Sequence, residues 1–282
     1  MKWQDNIKTG FQSAFQQWRP AAIVYAIQLA LALTLGMQVY EVFNASIGNS
    51  LEINKLLHGY NHTVITDFLK VHGASITPLI GQLRWLLPVW FIFSVFLNAG
   101  LLYGTVNPAE KTAQSFWRGA AAYFFPLLGI GLIFLVLALL WSVLVWLPAF
   151  TYIGASLESL PSEKPLVWVF LLALVIWLLG LGFLLIWSLL SRLQYMQASN
   201  SIVTSIKKAW QGFYRRKWPL WGFFTLFVLL QGLLIGFYHV FESHISAQSA
   251  GPILLLFFVQ QLFVFVRILL RISLYHWVNS TV

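Results

Sequence analysis

Histidine is the residue type in this chain whose spacing could support metal chemistry. Five of the six histidines lie in, or at the edge of, two segments that connect long apolar runs on the predicted outer side. His58 and His62 stand four residues apart, a spacing that suits zinc when both face one side of a helix. Gly59 is expected to end a helix between them, and no H-E-x-x-H motif supplies a general base. The pattern therefore favours solvated loop histidines, and a metal-dependent enzyme acting at the outer face is the less favoured alternative, with candidates His58, His62, His239 and His244.

Other catalytic signatures are missing from the sequence. It contains no cysteine, no P-loop, no G-x-S-x-G elbow and no dinucleotide-binding fingerprint. The net charge of +9 lies in short segments beside apolar runs rather than on a nucleic-acid-binding module. We therefore expect no catalytic residues, no cofactor and no nucleic-acid partner, and favour a non-enzymatic protein.

Amide side chains are the main polar groups inside the apolar runs. An amide in hydrocarbon must find a hydrogen-bond partner, so these residues are expected to face other helices. They could instead line the path of a transporter or channel for a neutral or lipophilic substrate. Coupled transport is disfavoured because no charged residue is expected near a membrane centre. The candidate cavity-lining residues are Gln28, Asn98, Gln231, Gln260 and Gln261.

The elements that carry these groups are predicted from composition. The 282 residues are 59% hydrophobic and 9% charged, whereas a soluble domain carries about 25% charged residues. A helix needs about 20 apolar residues to cross a bilayer. Six runs qualify, at residues 21–40, 85–106, about 124–147, 165–191, 218–241 and about 252–270. The sequence therefore predicts an all-α multi-pass membrane protein, in which Arg267 lies near the end of the sixth span and reaches outward.

The distribution of positive charge predicts the orientation. All but four of the 17 Lys and Arg residues lie at the termini or in the second and fourth connections. Since basic residues collect on the cytoplasmic side, both termini are predicted to be cytoplasmic, in a cell inner membrane. Lys55, Lys70, Arg84 and Lys164 then lie on the outer side.

One short stretch occurs twice. "IKTGFQSAFQQWRP" begins at Ile7, and "IKKAWQGFYRRKWP" begins at Ile206. In both, aromatic residues recur at helical spacing opposite cationic or polar residues, a pattern typical of an interfacial amphipathic helix. A weaker copy, "AQSFWRGAAAYFFP", begins at Ala113. We expect lipid-interface contacts, including anionic headgroups on the cytoplasmic side, from Trp3, Phe11, Trp18, Lys207, Lys208, Trp210, Arg215, Arg216 and Lys217.

These copies predict three parallel units within one membrane domain of residues 1–282. Each unit would consist of an interfacial helix and two spans, at residues 1–107, 108–200 and 201–282. Residues 43–84 are predicted to form an outer loop with two short helices. Two G-x-x-x-G pairs leave homo-oligomerisation open beside packing within the bundle. The favoured function is binding or scaffolding of lipid or of a partner membrane protein.

Overall fold

The protein is helical throughout the part of the chain that the structure describes. This structure, a computed structural model, describes residues 3–47, 62–109, 112–156, 164–198, 201–245 and 250–281. No strand occurs in these ranges, so the predicted all-α class is confirmed. The helices are α1 (Trp3–Gln16), α2 (Trp18–Ile47), α3 (His62–Val106), α4 (Ala113–Ser156), α5 (Lys164–Ala198), α6 (Ile202–Arg215), α7 (Lys217–Ser243) and α8 (Ala250–Asn279).

Six of these helices are long and apolar enough to cross a membrane. Their apolar segments are Trp18–Val42, Leu83–Val106, Ala113–Gly154, Lys164–Ala198, Lys217–Ser243 and Gly251–Asn279. Large apolar side chains cover their outer surfaces; Leu139 and Leu144, for example, are 59% and 64% exposed. Since such a surface is stable only in lipid, the protein is a multi-pass membrane protein. The first and last described helices lie at the same end of the bundle, since α1 packs against the last turns of α8.

The two strongest copies of the repeated stretch break at equivalent positions. The chain turns at Gln17, between α1 and α2, and at Arg216, between α6 and α7. Each turn lies three residues before a proline, Pro20 or Pro219. A proline ring collides with the carbonyl group four residues earlier, which is the last residue of α1 or α6. The prolines themselves fit the first turn of α2 and α7, where no intrahelical N–H bond is lost.

The weaker copy folds differently. α4 runs without interruption through Pro126 and Pro148, so residues 113–126 do not form a separate helix before the third span. Internal prolines remove a hydrogen bond and kink a helix, but neighbouring helices compensate for this inside a membrane bundle. The predicted division into three units stays a prediction.

The predicted outer loop also differs from the structure in its second half. α3 begins at His62 and continues to Val106, so residues 62–84 extend the second span instead of forming a separate short helix. The first predicted short helix lies outside the described residues. At 1.5 Å per residue, the 45 residues of α3 measure about 68 Å, more than twice the roughly 30 Å hydrocarbon core. The helix therefore extends beyond the membrane at the end opposite the termini.

Helix α8 is the centre of the bundle and contacts α1, α2, α3, α5 and α7. Its last turns pack against α1, where fully buried Trp277 donates a hydrogen bond from Nε1 to the Ile7 carbonyl at 3.2 Å. We call this end of the bundle the terminal end. Close approach of α3 and α4 depends on glycine, because a Cβ on Gly100 would lie 2.5 Å from the Phe116 ring.

Candidate functional site: an arginine-lined cavity

A cavity of about 460 Å³ lies inside the bundle, between α3, α5, α7 and α8. Three arginines line this cavity: Arg192 from α5, and Arg267 and Arg271 from α8. We call it the arginine cavity. Arg267 and Arg271 are four residues apart and therefore lie on the same face of α8. None of the described residues that line the cavity is acidic. The cavity therefore concentrates positive charge with no acidic side chain among its described lining residues.

Hydrogen bonds to neutral amide side chains fix the positions of polar side chains around the cavity. Arg267 Nε donates a hydrogen bond to Gln231 Oε1 at 3.0 Å, and the guanidinium lies 5.7 Å from the centre of the Phe263 ring. The Tyr275 hydroxyl, one turn beyond Arg271, donates to Asn98 Oδ1 at 3.0 Å. These bonds join α7 to α8 and α3 to α8 across the cavity. They orient the polar groups while leaving the arginine charges in place.

Arg192 has donor capacity that the protein does not use. Its Nε is buried and has no hydrogen-bond partner among the described residues. A buried donor without a partner costs about 1–3 kcal/mol, and more when the group is charged. Such a group is commonly satisfied by a ligand or by water that the protein recruits. The planar guanidinium group of arginine provides N–H donors that match the oxygens of a phosphate or carboxylate group.

The cavity opens toward the membrane. Leu185 on α5 and Ile235 on α7 both line it, yet they are 60% and 52% exposed on the outer surface of the bundle. Helices α5 and α7 make little contact with each other, which leaves a lateral opening between them. A ligand with a polar head and an apolar tail fits this geometry, since the head would meet the arginines and the tail would leave through the opening.

Arg267 lies away from the ends of α8. It is exposed and lies near the middle of the candidate span Gly251–Asn279, beside Gln231, which lies near the middle of α7. α8 continues to Asn279, beyond the predicted end of the sixth span. The expectations that Arg267 reaches outward and that no charged residue lies near a membrane centre stay predictions. Ionisable residues near the middle of a membrane span are costly and commonly mark functional sites.

The five amides predicted to line a cavity have separate positions. Asn98 and Gln231 line the arginine cavity. Gln261 accepts a hydrogen bond from the Tyr25 hydroxyl at 3.0 Å, which joins α2 to α8. Gln28 is half-buried and Gln260 is exposed, and neither lines this cavity. The structure therefore does not place all five amides along one path.

The residues predicted at the lipid interface lie in, or directly after, the two short helices α1 and α6, which pack on the bundle. Phe11 packs edge-on against Trp277 at 5.3 Å, and Trp210 lies 4.9 Å from Trp187 on α5. Trp18 is 54% exposed, with Arg19 above its ring at 5.5 Å. Trp3 begins α1. The cations Lys207, Lys208, Arg215, Arg216 and Lys217 are all exposed.

The histidine candidates are not brought together within the described residues. No group of three His, Asp or Glu side chains that could hold a metal ion occurs in that part of the chain. His239 and His244 are exposed, and His244 Nδ1 lies 2.7 Å from the Val240 carbonyl oxygen. His62 begins α3, and His58 lies outside the described residues.

Sequence reasoning missed the arginine cavity because it counted its arginines as topological charges at span ends. A signal was present: Arg267, Arg271 and Tyr275 repeat at four-residue intervals and form a polar stripe on one face of the sixth span. Ser188 and Arg192 form a similar pair on α5, and Ser188 also lines the cavity. Two polar stripes on apolar helices predict that those faces meet.

A second omission is Gln17, at the turn between α1 and α2. It is fully buried, and its Nε2 donates to the Gly104 carbonyl at 3.2 Å and lies 2.8 Å from His276 Nε2. Gln17 thus ties the first turn of the chain to the terminal ends of α3 and α8.

Comparison with known proteins gives no further guidance to the ligand. The chain matches no protein-family model, no curated protein and no solved structure.

Proposed function

We propose that this protein is a non-enzymatic inner-membrane protein that binds an anionic lipid, with the lipid headgroup in the arginine cavity. The observation that carries the proposal is that Arg192, Arg267 and Arg271 line one cavity. None of the described residues that line this cavity is acidic. Charged groups at this depth are rare in membrane proteins and normally serve a ligand or an ion. An anionic headgroup supplies the missing negative charge.

The lateral opening favours a lipid over a water-soluble anion. Leu185 and Ile235 place apolar surface at the mouth of the cavity, where acyl chains would lie. A soluble anion would have to leave water and cross hydrocarbon to reach the same mouth. A lipid keeps its acyl chains in hydrocarbon when its headgroup enters the cavity, so only the headgroup has to be satisfied by the arginines.

The proposed orientation places both termini in the cytoplasm, as the distribution of Lys and Arg predicts. On that side, α1 and α6 would lie in the headgroup region with their cations toward anionic lipids. The arginine cavity then begins on the cytoplasmic half of the bundle and reaches the membrane centre at Arg267.

Titration of the purified full chain with defined lipids tests the proposal. We would titrate it in a neutral detergent with short-chain phosphatidylglycerol, with phosphatidylcholine of the same chain length, and with inorganic phosphate. Bound lipid is counted by native mass spectrometry. Phosphatidylglycerol should bind, and the zwitterionic lipid should bind at least about tenfold more weakly, since charge-assisted bonds contribute about 1.5–3 kcal/mol each.

Single substitutions assign the binding to the cavity. Arg192→Gln and Arg271→Gln should each weaken phosphatidylglycerol binding by about 10- to 100-fold, from the same bond energies. Arg118→Gln is the matched control, because Arg118 is exposed on α4 and does not line the cavity. Equal affinity for the two lipids, or unchanged binding in both cavity variants, contradicts the proposal. Competition by inorganic phosphate at the affinity of the lipid would assign the cavity to a soluble anion instead.

A further inference from the structure

A second basic cavity lies at the terminal end of the bundle. This recess of about 250 Å³ lies between α5, α6, α7 and Thr281. Lys208, Arg215 and Arg216 line it, and we use them to define the basic recess. Gln194 and Gln211 add amide groups, and no acidic residue is among its described lining. The recess therefore offers the same kind of donors as the arginine cavity, closer to the membrane surface.

One buried side chain is shared by the linings of the two cavities. Leu220, in the first turn of α7, lines both the arginine cavity and the basic recess, and only 1% of its surface is exposed. Leu190 and Val278, which are also buried, flank this partition on the two sides. The barrier is thus a thin aliphatic layer between two basic compartments. Apolar constrictions of this kind block polar groups by excluding water.

We infer that the basic recess is a second binding site for anionic lipid headgroups and that Leu220 is a gate between the two sites. The inference rests on the proposed function for the ligand of the inner site. α5 and α7 contribute residues to both cavities, so a headgroup can pass from one site to the other along the seam between these helices. Its acyl chains stay in lipid throughout, because the lateral opening lies along the same seam.

The physical advantage of this arrangement is the distribution of charge. An anion that enters a bundle from the surface loses hydration before it gains new partners. Lys208, Arg215 and Arg216 provide partners at the surface, and Arg192 and Arg271 provide them on the far side of Leu220. The costly step is then reduced to crossing one leucine side chain. This assigns the protein a route for anionic headgroups between the membrane surface and the bundle interior.

Cysteine chemistry tests the gate, because the native chain contains no cysteine. Ser188→Cys places one thiol in the arginine cavity, beyond Leu220. The full chain is reconstituted in sealed vesicles and treated, on the face that carries the termini, with methanethiosulfonate reagents of similar size. One reagent carries a sulfonate and the other a trimethylammonium group. The rate of modification is followed by mass spectrometry.

Opening the partition should speed modification of this thiol. Leu220→Ala is expected to raise the rate for the anionic reagent by about tenfold or more, as for a widened apolar constriction. Leu220→Val, a smaller change, should give an intermediate rate and serves if the alanine variant folds poorly. Leu226→Ala is the matched control, since this leucine of α7 lines neither cavity. An unchanged rate in both Leu220 variants overturns the gate.

Charge preference tests the second site. With Leu220→Ala present, the anionic reagent should react about tenfold faster than the cationic one, because basic clefts concentrate anions. Combining Arg215→Gln with Arg216→Gln should remove most of this preference; an unchanged preference overturns the basic recess as a site. These outcomes do not depend on the lipid titration. Loss of lipid selectivity with a working gate would refute the lipid as ligand, whereas normal lipid binding with no gate effect would refute only the route.

Discussion

The contact between α1 and α8 leads to a sharp prediction about Gly10. Gly10 lies inside α1, and a Cβ at this position would overlap the indole of Trp277, at Nε1 and Cδ1. Trp277 is fully buried between Phe11 and Phe223, with ring centres 5.3 and 5.9 Å away. We therefore predict that Gly10→Ala destabilises the native protein but stabilises a variant from which the indole has been removed.

The expected size follows from two opposing effects. Alanine in place of glycine inside a helix stabilises by about 1 kcal/mol, while overpacking of a close contact costs about 1–3 kcal/mol. Trp277→Ala alone should cost about 3–5 kcal/mol, as for other buried tryptophans. In the Trp277→Ala background the overlap is gone, so Gly10→Ala should only stabilise α1, because alanine favours a helix more than glycine does. The coupling between the two substitutions then equals the overpacking cost, about 1–3 kcal/mol.

The assay is unfolding of the four proteins of this cycle in mixed detergent micelles, followed by circular dichroism. Gly212→Ala is the control, because Gly212 lies inside α6 and a Cβ there would meet nothing within 4 Å. It should be neutral or stabilising in both backgrounds. A coupling energy below about 0.5 kcal/mol, the usual limit of additivity, would refute the docking of α1 on Trp277.

Two further predictions concern helix packing and topology. Gly100→Ala should carry an overpacking cost of about 1–3 kcal/mol, because its Cβ would lie 2.5 Å from Phe116. Gly232→Ala, at an open position inside α7, should be neutral or stabilise by up to about 1 kcal/mol. Thermal unfolding compares the two variants, and equal effects contradict the packing. Lys207, which lies in α6, and Glu242, which lies in the last turn of α7, are placed toward opposite ends of α7. A membrane-impermeant thiol reagent should therefore label Lys207→Cys and Glu242→Cys from opposite sides, and labelling of both from one side refutes the crossing.

Hydrophobicity was enough to predict the six spans, but not where their helices end. Span composition is a local property, and each predicted run lies within a helix of the structure. Helix length also depends on polar residues that continue the helical hydrogen bonding outside lipid, as residues 62–82 do in α3. The turns at Gln17 and Arg216 were accessible from sequence because a proline acts on the carbonyl four residues before it. Pro126 shows the limit of this rule, since packing keeps α4 continuous there.

The arginine cavity could be predicted only in part, because it is a tertiary property. Periodicity places Arg267 and Arg271 on one face of α8, but nothing local shows that Arg192 of α5 meets them. The positive-inside rule explained all three arginines as orientation signals, so their other role was hidden. The decisive information is the packing of α5 against α8, which brings Arg192 to the same cavity as Arg267 and Arg271.

The hydrogen-bond acceptors in the arginine cavity are neutral amides, which supports a site that binds an anion from outside the protein. Gln231 accepts a hydrogen bond from Arg267 as a glutamate would, and Asn98 accepts one from Tyr275 as an aspartate would. A carboxylate at either position would neutralise the cavity, and a closed internal ion pair has little attraction left for an anion. Amides fix the geometry without cancelling the charge. Like charges that line one cavity repel each other, and a bound anionic headgroup would offset that repulsion.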